Sequence, residues 1–241
     1  MNDVVTVFKK EMLDIISARS AKKHAFGWVV FIIMFGVFIP MSQASYWIKE
    51  SQLLSFHLIF VPLMITYTCI ANSFAGRRET RIVRAPRDLA SDNTLFMAKG
   101  LAGFVFSYIF YLIISLIGVI SLNYVIYMNG EWHKVFIYSP PTLFAFIFFG
   151  AGLVSFAVST GVFISLKVES VKVAQILSSG FYLLIGLPIM SGMVKVVAAW
   201  DFVLPACGVL FLIDALVFAA ALKTFKQSRV VYDNADSVYD G

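Results

Sequence analysis

Few residues of this chain are able to do chemistry, and two of them lie where an ionisable group is expensive. Asp214 is the one carboxylate inside a long apolar run, and His57 is the one imidazole in such a run. At the centre of a membrane helix a charged group costs about 2.5 to 3.5 kcal/mol or more, so both are functional candidates. A proton or cation path needs several such groups in relay, and one Asp with one His makes a thin relay. The plainer role for Asp214 is an anchor, either protonated or bonded to a Ser, Tyr or Gln on a neighbouring helix. His24, His57 and His133 fall in different segments, so no shared metal site is expected.

Motifs for bond chemistry are missing. The chain has no G-x-x-x-x-G-K-[ST] to cradle nucleotide phosphates and no H-E-x-x-H, C-x-x-C or G-x-S-x-G. Catalytic residues and a bound cofactor are therefore not expected in this chain. Cys69 and Cys207 each sit in an apolar run, which does not indicate a disulfide framework.

The elements that position these residues follow from composition. The chain has 241 residues, of which 60% are hydrophobic and 14% charged, with a mean hydropathy of +0.85. An ordinary soluble domain has about 25% charged residues. The fold expected is an all-α membrane protein, since each crossing takes about 20 apolar helical residues. Six apolar segments qualify: 25–42, 53–74, 100–122, 142–166, 174–193 and 202–222. Residues 1–24 precede them with charges spread throughout, which does not read as a secretory signal. Val4, Val5, Phe8, Met12, Ile15 and Ile16 line one helical face there, with Lys9, Lys10 and Asp14 elsewhere, the pattern of an amphipathic helix in the headgroup plane.

Three domains are thus expected: an interfacial helix over 1–24, a six-helix membrane domain over 25–222, and a tail over 223–241 carrying Asp233, Asp236 and Asp240. Orientation follows from the basic residues. With the N-terminus cytoplasmic, 16 of the 19 Lys and Arg face the cytoplasm, leaving Lys49, Lys134 and Lys195 outside. The positive-inside rule then makes both termini cytoplasmic, and the +5 net charge needs no nucleic-acid partner. In the fourth segment Ala151, Ser155 and Ser159 recur every four residues, a spacing that lets helix backbones approach closely. Pro62, Pro188 and Pro205 fall within or near the ends of spans, while Pro140 and Pro141 suit a first helical turn.

The most informative stretch is the basic loop over 76–99. Arg77, Arg78, Arg81 and Arg84 sit at helical spacing beside Glu79, Ile82 and Val83, with Pro86 as a stop. A short amphipathic helix of this kind suits docking to a cytoplasmic partner, with apolar anchors and arginines for charge pairing; anionic lipid headgroups are the alternative ligand.

At three places the sequence resembles the permeases of ABC-2 type ATP-binding cassette exporters. Lys9, Lys10, Glu11, Met12, Leu13 and Asp14 are similar to that family's Lys-Lys-Glu-hydrophobic-x-Asp opening. Phe74, Ala75, Arg78, Glu79, Pro86 and Lys99 match its pattern between spans two and three, with Arg77, Thr80 and Arg81 departing from it. Glu169, Ser170, Ala174 and Gln175 resemble its short turn into span five.

The resemblance implies a permease of a prokaryotic cytoplasmic membrane that forms a substrate path with a second, identical or related permease. It implies two separate ATPase subunits, which bind the ATP and Mg. Three groups of contact residues follow: Arg77, Arg78, Glu79, Arg81, Ile82, Val83 and Arg84 in the coupling loop; Lys167, Glu169, Ser170 and Lys172 as a second cytoplasmic contact; and Phe8, Lys9, Lys10, Glu11 and Met12 on the N-terminal helix. The aromatic content points to export of an amphipathic or hydrophobic substrate such as a lipid, peptide or drug. The alternative is a self-contained channel or secondary transporter using Asp214.

Overall fold

The computed structural model describes residues 2–17, 27–49, 52–79, 92–130, 133–168, 170, 172–178, 180 and 200–239. Among them every regular element is helical. We number the helices α1 (Asn2–Ser17), α2 (Gly27–Ser42), α3 (Ala44–Ile48), α4 (Gln52–Glu79) and α5 (Asp92–Met128). Helix α6 starts at Pro140–Phe144, passes through a π-helical turn at Ala145–Phe149 and continues as Gly150–Lys167. A short α7 covers 172–178, and α8 is Trp200–Tyr239.

Three apolar stretches are long enough to cross a membrane, Phe96–Met128, Pro140–Ser165 and Val203–Thr224, and Gly27–Ser42 and His57–Ile70 are shorter apolar helices. By length and composition this is a membrane protein. The three long stretches agree with the expected segments at 100–122, 142–166 and 202–222 to within a few residues, most loosely at the ends of α5. The expected fifth segment, 174–193, lies mostly outside the described residues, as do residues 18–24 of the expected interfacial helix.

Local chemistry accounts for the helix starts and bends. Pro140 and Pro141 open α6 in its first turn behind Ser139, where a missing N–H costs no helical bond. Inside α4 the Thr66 hydroxyl donates to the Pro62 carbonyl one turn back at 2.6 Å, so this buried hydroxyl is satisfied within its own helix. Helix α2 has its own π-helical turn, Ile33–Phe38. A hydroxyl from α5 reaches a carbonyl in each π-turn: Ser121 donates to Gly36 at 3.0 Å and Tyr108 to Ile147 at 2.9 Å.

Packing fixes the direction of each helix. Trp28 lies against Phe106 and Phe110, and further along, Pro40 lies against Gly118, so α2 and α5 run the same way. His57 neighbours Phe146, Tyr67 bonds Thr160 and Ile70 meets Gly161, so α4 runs parallel to α6. Trp200 touches Phe144 and Asp214 reaches Ser159, so α8 also runs parallel to α6. Tyr111 meets Gly150 while Gly100 faces Val158, which sets α5 antiparallel to all three. The bundle thus has one end bearing Lys99 and Lys167, the basic end, and an opposite end bearing Trp47, Tyr138 and Trp200.

Helix α6 is the centre. Some 67% of its apolar window is buried, against 17% for that of α8. Small residues make this possible by letting three neighbours approach its backbone: Gly150 faces the Tyr111 ring of α5, Gly152 faces Leu210 of α8 and Gly161 faces Ile70 of α4. In a membrane, where burying apolar surface gains little, such close contact supplies the packing attraction. Tyr67 adds a buried hydrogen bond to Thr160 at 2.8 Å; because the Thr160 hydroxyl donates to Phe156, Tyr67 is the donor.

Candidate functional site

The polar and ionisable groups fall into three places along the bundle. At the basic end, α1 packs on α5. Val4, Phe8, Met12 and Ile15 are half-buried and Lys9 and Lys10 exposed, in keeping with the amphipathic pattern, but Val5 of the expected apolar face is 49% exposed. Glu11 is the exception, only 3% exposed, with its carboxylate 3.9 Å from the Nζ of Lys99, itself 8% exposed. The pair belongs to the packed surface between α1 and α5. Position 11 follows 4 and 8 and precedes 15 at alternating steps of four and three, so Glu11 continues the apolar stripe. That spacing was the available signal for its burial.

The coupling-loop residues are only partly described. Arg77, Arg78 and Glu79 are the last residues of α4, so the helix runs without a break from the apolar segment into the basic loop. Arg81, Ile82, Val83 and Arg84 lie outside the described residues. Lys167 ends α6, exposed, with Nζ 4.5 Å from the centroid of the Phe163 ring. Ser170 accepts the amide of Ala174 at 3.0 Å at the start of α7, on which Lys172 is exposed; Glu169 lies outside the described residues.

Mid-bundle, Asp214 is 7% exposed and faces α6. Ser159 Oγ lies 2.9 Å from Asp214 Oδ1 and 3.1 Å from the Ser155 carbonyl, so one hydroxyl proton is shared between two acceptors. Asp214 is thus tied to a serine on a neighbouring helix.

At the end opposite the basic residues, His57 is 2% exposed and neither ring nitrogen has a hydrogen-bond partner. Its ring lies edge-on to Trp47 at 5.1 Å and tilted to Phe146 at 6.1 Å. Trp47 Nε1 donates to the Tyr138 hydroxyl at 2.6 Å, and Tyr138 stacks on Phe146 at 4.9 Å. Tyr111 stacks on the same ring at 6.2 Å, and its buried hydroxyl also has no partner. Of these residues only His57 was marked out by the sequence, as an imidazole in an apolar run; the aromatic partners carry no signal that separates them from the many other aromatic residues of the spans.

The structure therefore does not bring His57 and Asp214 together. Their α6 neighbours, Phe146 and Ser159, are thirteen residues apart on one helix, or roughly 20 Å along its axis at 1.5 Å per residue. Among the described residues no three His, Cys, Asp or Glu are grouped to hold a metal ion. No protein-family model, curated protein or solved structure matches this chain.

Proposed function

We propose that the chain is a membrane-spanning permease subunit of an ATP-driven exporter of the ABC-2 type, working with a second permease and with separate ATPase subunits. The observation that carries this reading is the buried pairing of Glu11 with Lys99. It ties the N-terminal helix to the helix that emerges from the basic loop. A push delivered at the loop or at α1 is then transmitted to α5, and through Tyr111 and Gly150 to the central helix α6. That is the arrangement expected of a subunit whose work is a switch between two helix packings driven from outside.

Two further observations support it. Helix α6 ends at the basic end while α8, parallel to it, begins at the opposite end, so the chain between Lys167 and Trp200 has to pass from one end to the other. This agrees with a fifth crossing over 174–193 and hence with six crossings and both termini on the cytoplasmic side. Helix α4 continues into Arg77, Arg78 and Glu79, providing a rigid lever from the spans into the proposed coupling loop. A self-contained carrier relaying protons between His57 and Asp214 is disfavoured because their α6 neighbours, Phe146 and Ser159, are separated by roughly 20 Å along the helix axis.

The test is replacement of residues 80–91 by a Gly/Ser linker of equal length. The permease reading expects a subunit that still reaches the membrane and stays monodisperse in detergent but loses its co-purifying ATPase. Retention of the ATPase with the linker in place contradicts the coupling role.

A further inference from the structure

The aromatic chamber at the end opposite the basic residues has no part in coupling, yet it holds an unusual combination. Two buried polar side chains, His57 and Tyr111, carry hydrogen-bonding atoms with no partner. Leaving such a group dry costs about 1 to 3 kcal/mol, and the large majority of buried polar side-chain atoms in native proteins are partnered. Both rings flank one residue, Phe146, at 6.1 and 6.2 Å. Phe146 is carried by the π-helical turn Ala145–Phe149. Single π-turns within α-helices are frequent at functional sites.

A π-turn holds one residue more than an α-turn over the same rise. Its relaxation to α geometry rotates the side chains on it by about 100° relative to the rest of the helix. In the site inferred below, such a motion would carry the Phe146 ring away from His57 and Tyr111, its neighbours at 6.1 and 6.2 Å. The Tyr108 hydroxyl, bonded to the Ile147 carbonyl, latches the turn in its present form. The space held by Phe146 is bordered by the Tyr138 ring, stacked at 4.9 Å, and by the side chains of His57 and Tyr111 with their unused polar atoms. Its shape is that of a phenyl ring, and its chemistry adds what a phenyl ring lacks.

We propose that this chamber is a binding site for an aromatic group bearing a hydrogen-bonding substituent, with His57 and Tyr111 as its polar contacts and Phe146 as the plug that occupies it in the unloaded state. That the site serves the exported solute rests on the permease reading; the site itself does not. It narrows the amphipathic substrate class to molecules with a flat aromatic part and an amine, hydroxyl or similar substituent.

The experiment uses the full chain in lipid nanodiscs, with 1-naphthylamine as probe and naphthalene, which lacks the amine, as its control. Phe146→Ala is expected to open a site for both compounds, as an emptied apolar cavity admits an aromatic guest. Adding His57→Phe is expected to weaken 1-naphthylamine by about two- to tenfold, the worth of one hydrogen bond, and to leave naphthalene unchanged. His57→Gln, which keeps a donor and an acceptor, is expected to retain more of the amine's affinity than His57→Phe and serves as the reference if the phenylalanine variant is not monodisperse. The proposal is overturned if Phe146→Ala binds neither compound, or if the His57 variants weaken both compounds equally. Because no ATPase enters this measurement, its failure leaves the permease reading standing, and loss of the permease reading leaves the site standing.

Discussion

At the scale of single residues, Asp214 and Ser159 form a bond whose worth is measurable. The Ser159 hydroxyl bridges to the Asp214 carboxyl across the α6–α8 contact. Interhelical hydrogen bonds of this kind in membranes average about 0.6 kcal/mol and reach about 1.7. A double-mutant cycle of Ser159→Ala and Asp214→Leu, followed by unfolding of the protein in mixed micelles, should return a coupling in that range. Asp214→Asn should stay close to the parent, because the amide oxygen still accepts from Ser159. Zero coupling would mean that the two side chains do not support one another.

A contrast between two glycines is equally direct. A Cβ at Gly150 would lie 2.5 Å from Cε1 of Tyr111, a ring with no exposed surface, whereas at Gly208 nothing lies within 4 Å. Gly150→Ala should destabilise by about 1 to 3 kcal/mol, the usual cost of overpacking. Gly208→Ala should be neutral or stabilising by up to about 1 kcal/mol, the helix preference of alanine over glycine. Thermal unfolding of the two variants side by side checks this, and equal behaviour would contradict the packing described.

At the scale of elements, the buried Glu11–Lys99 pair holds α1 on α5. Breaking a buried pair by removing one partner costs up to about 3 to 5 kcal/mol. Glu11→Lys and Lys99→Glu should each loosen α1 and lower the melting temperature, and the double reversal should recover most of the loss. If the double reversal is no better than the worse single variant, the two side chains do not act as a pair.

The apolar stretches of α5, α6 and α8 were legible because long hydrophobic runs leave little choice but a helix. The amphipathic face of α1 was legible for the same reason of periodicity. The place of Glu11 on the apolar stripe signalled its burial, but its pairing with Lys99 was not legible, since the lysine is brought in by tertiary packing. The π-turns were not legible either: the inserted residue changes no hydrophobic pattern, and only the hydroxyls of Ser121 and Tyr108 mark where they are held. Residue 222 was expected to end the last span and begin a separate tail. The apolar stretch ends at Thr224, close to that boundary, and α8 continues through the tail to Tyr239, because extending an existing helix costs far less than starting one.

At the scale of the whole molecule, the basic residues and the helix directions point the same way. Val135 lies in the segment between α5 and α6, 74% exposed, at the end opposite Lys167. In sealed cells, a cysteine at position 135 should react with an impermeant maleimide from outside, and one at Lys167 only after the membrane is opened. The reverse pattern would invert the orientation and remove the basic loop from the compartment that holds ATP. The candidate site was half legible at this scale. The basic loop and the intramembrane His57 and Asp214 were evident as charges in or beside apolar runs, but the separation of His57 from Asp214 and the chamber around Phe146 arise only when five segments converge.

The central claim, that this chain works as the membrane partner of separate ATPases, is tested most directly by purifying it from its native membrane in mild detergent, identifying the proteins that accompany it and assaying ATP hydrolysis in the eluate. The account predicts a stoichiometric P-loop ATPase whose association is lost when Arg78, Ile82 and Val83 are replaced together. A chain that purifies alone, without ATPase activity, would contradict it and return the weight to a self-contained transporter.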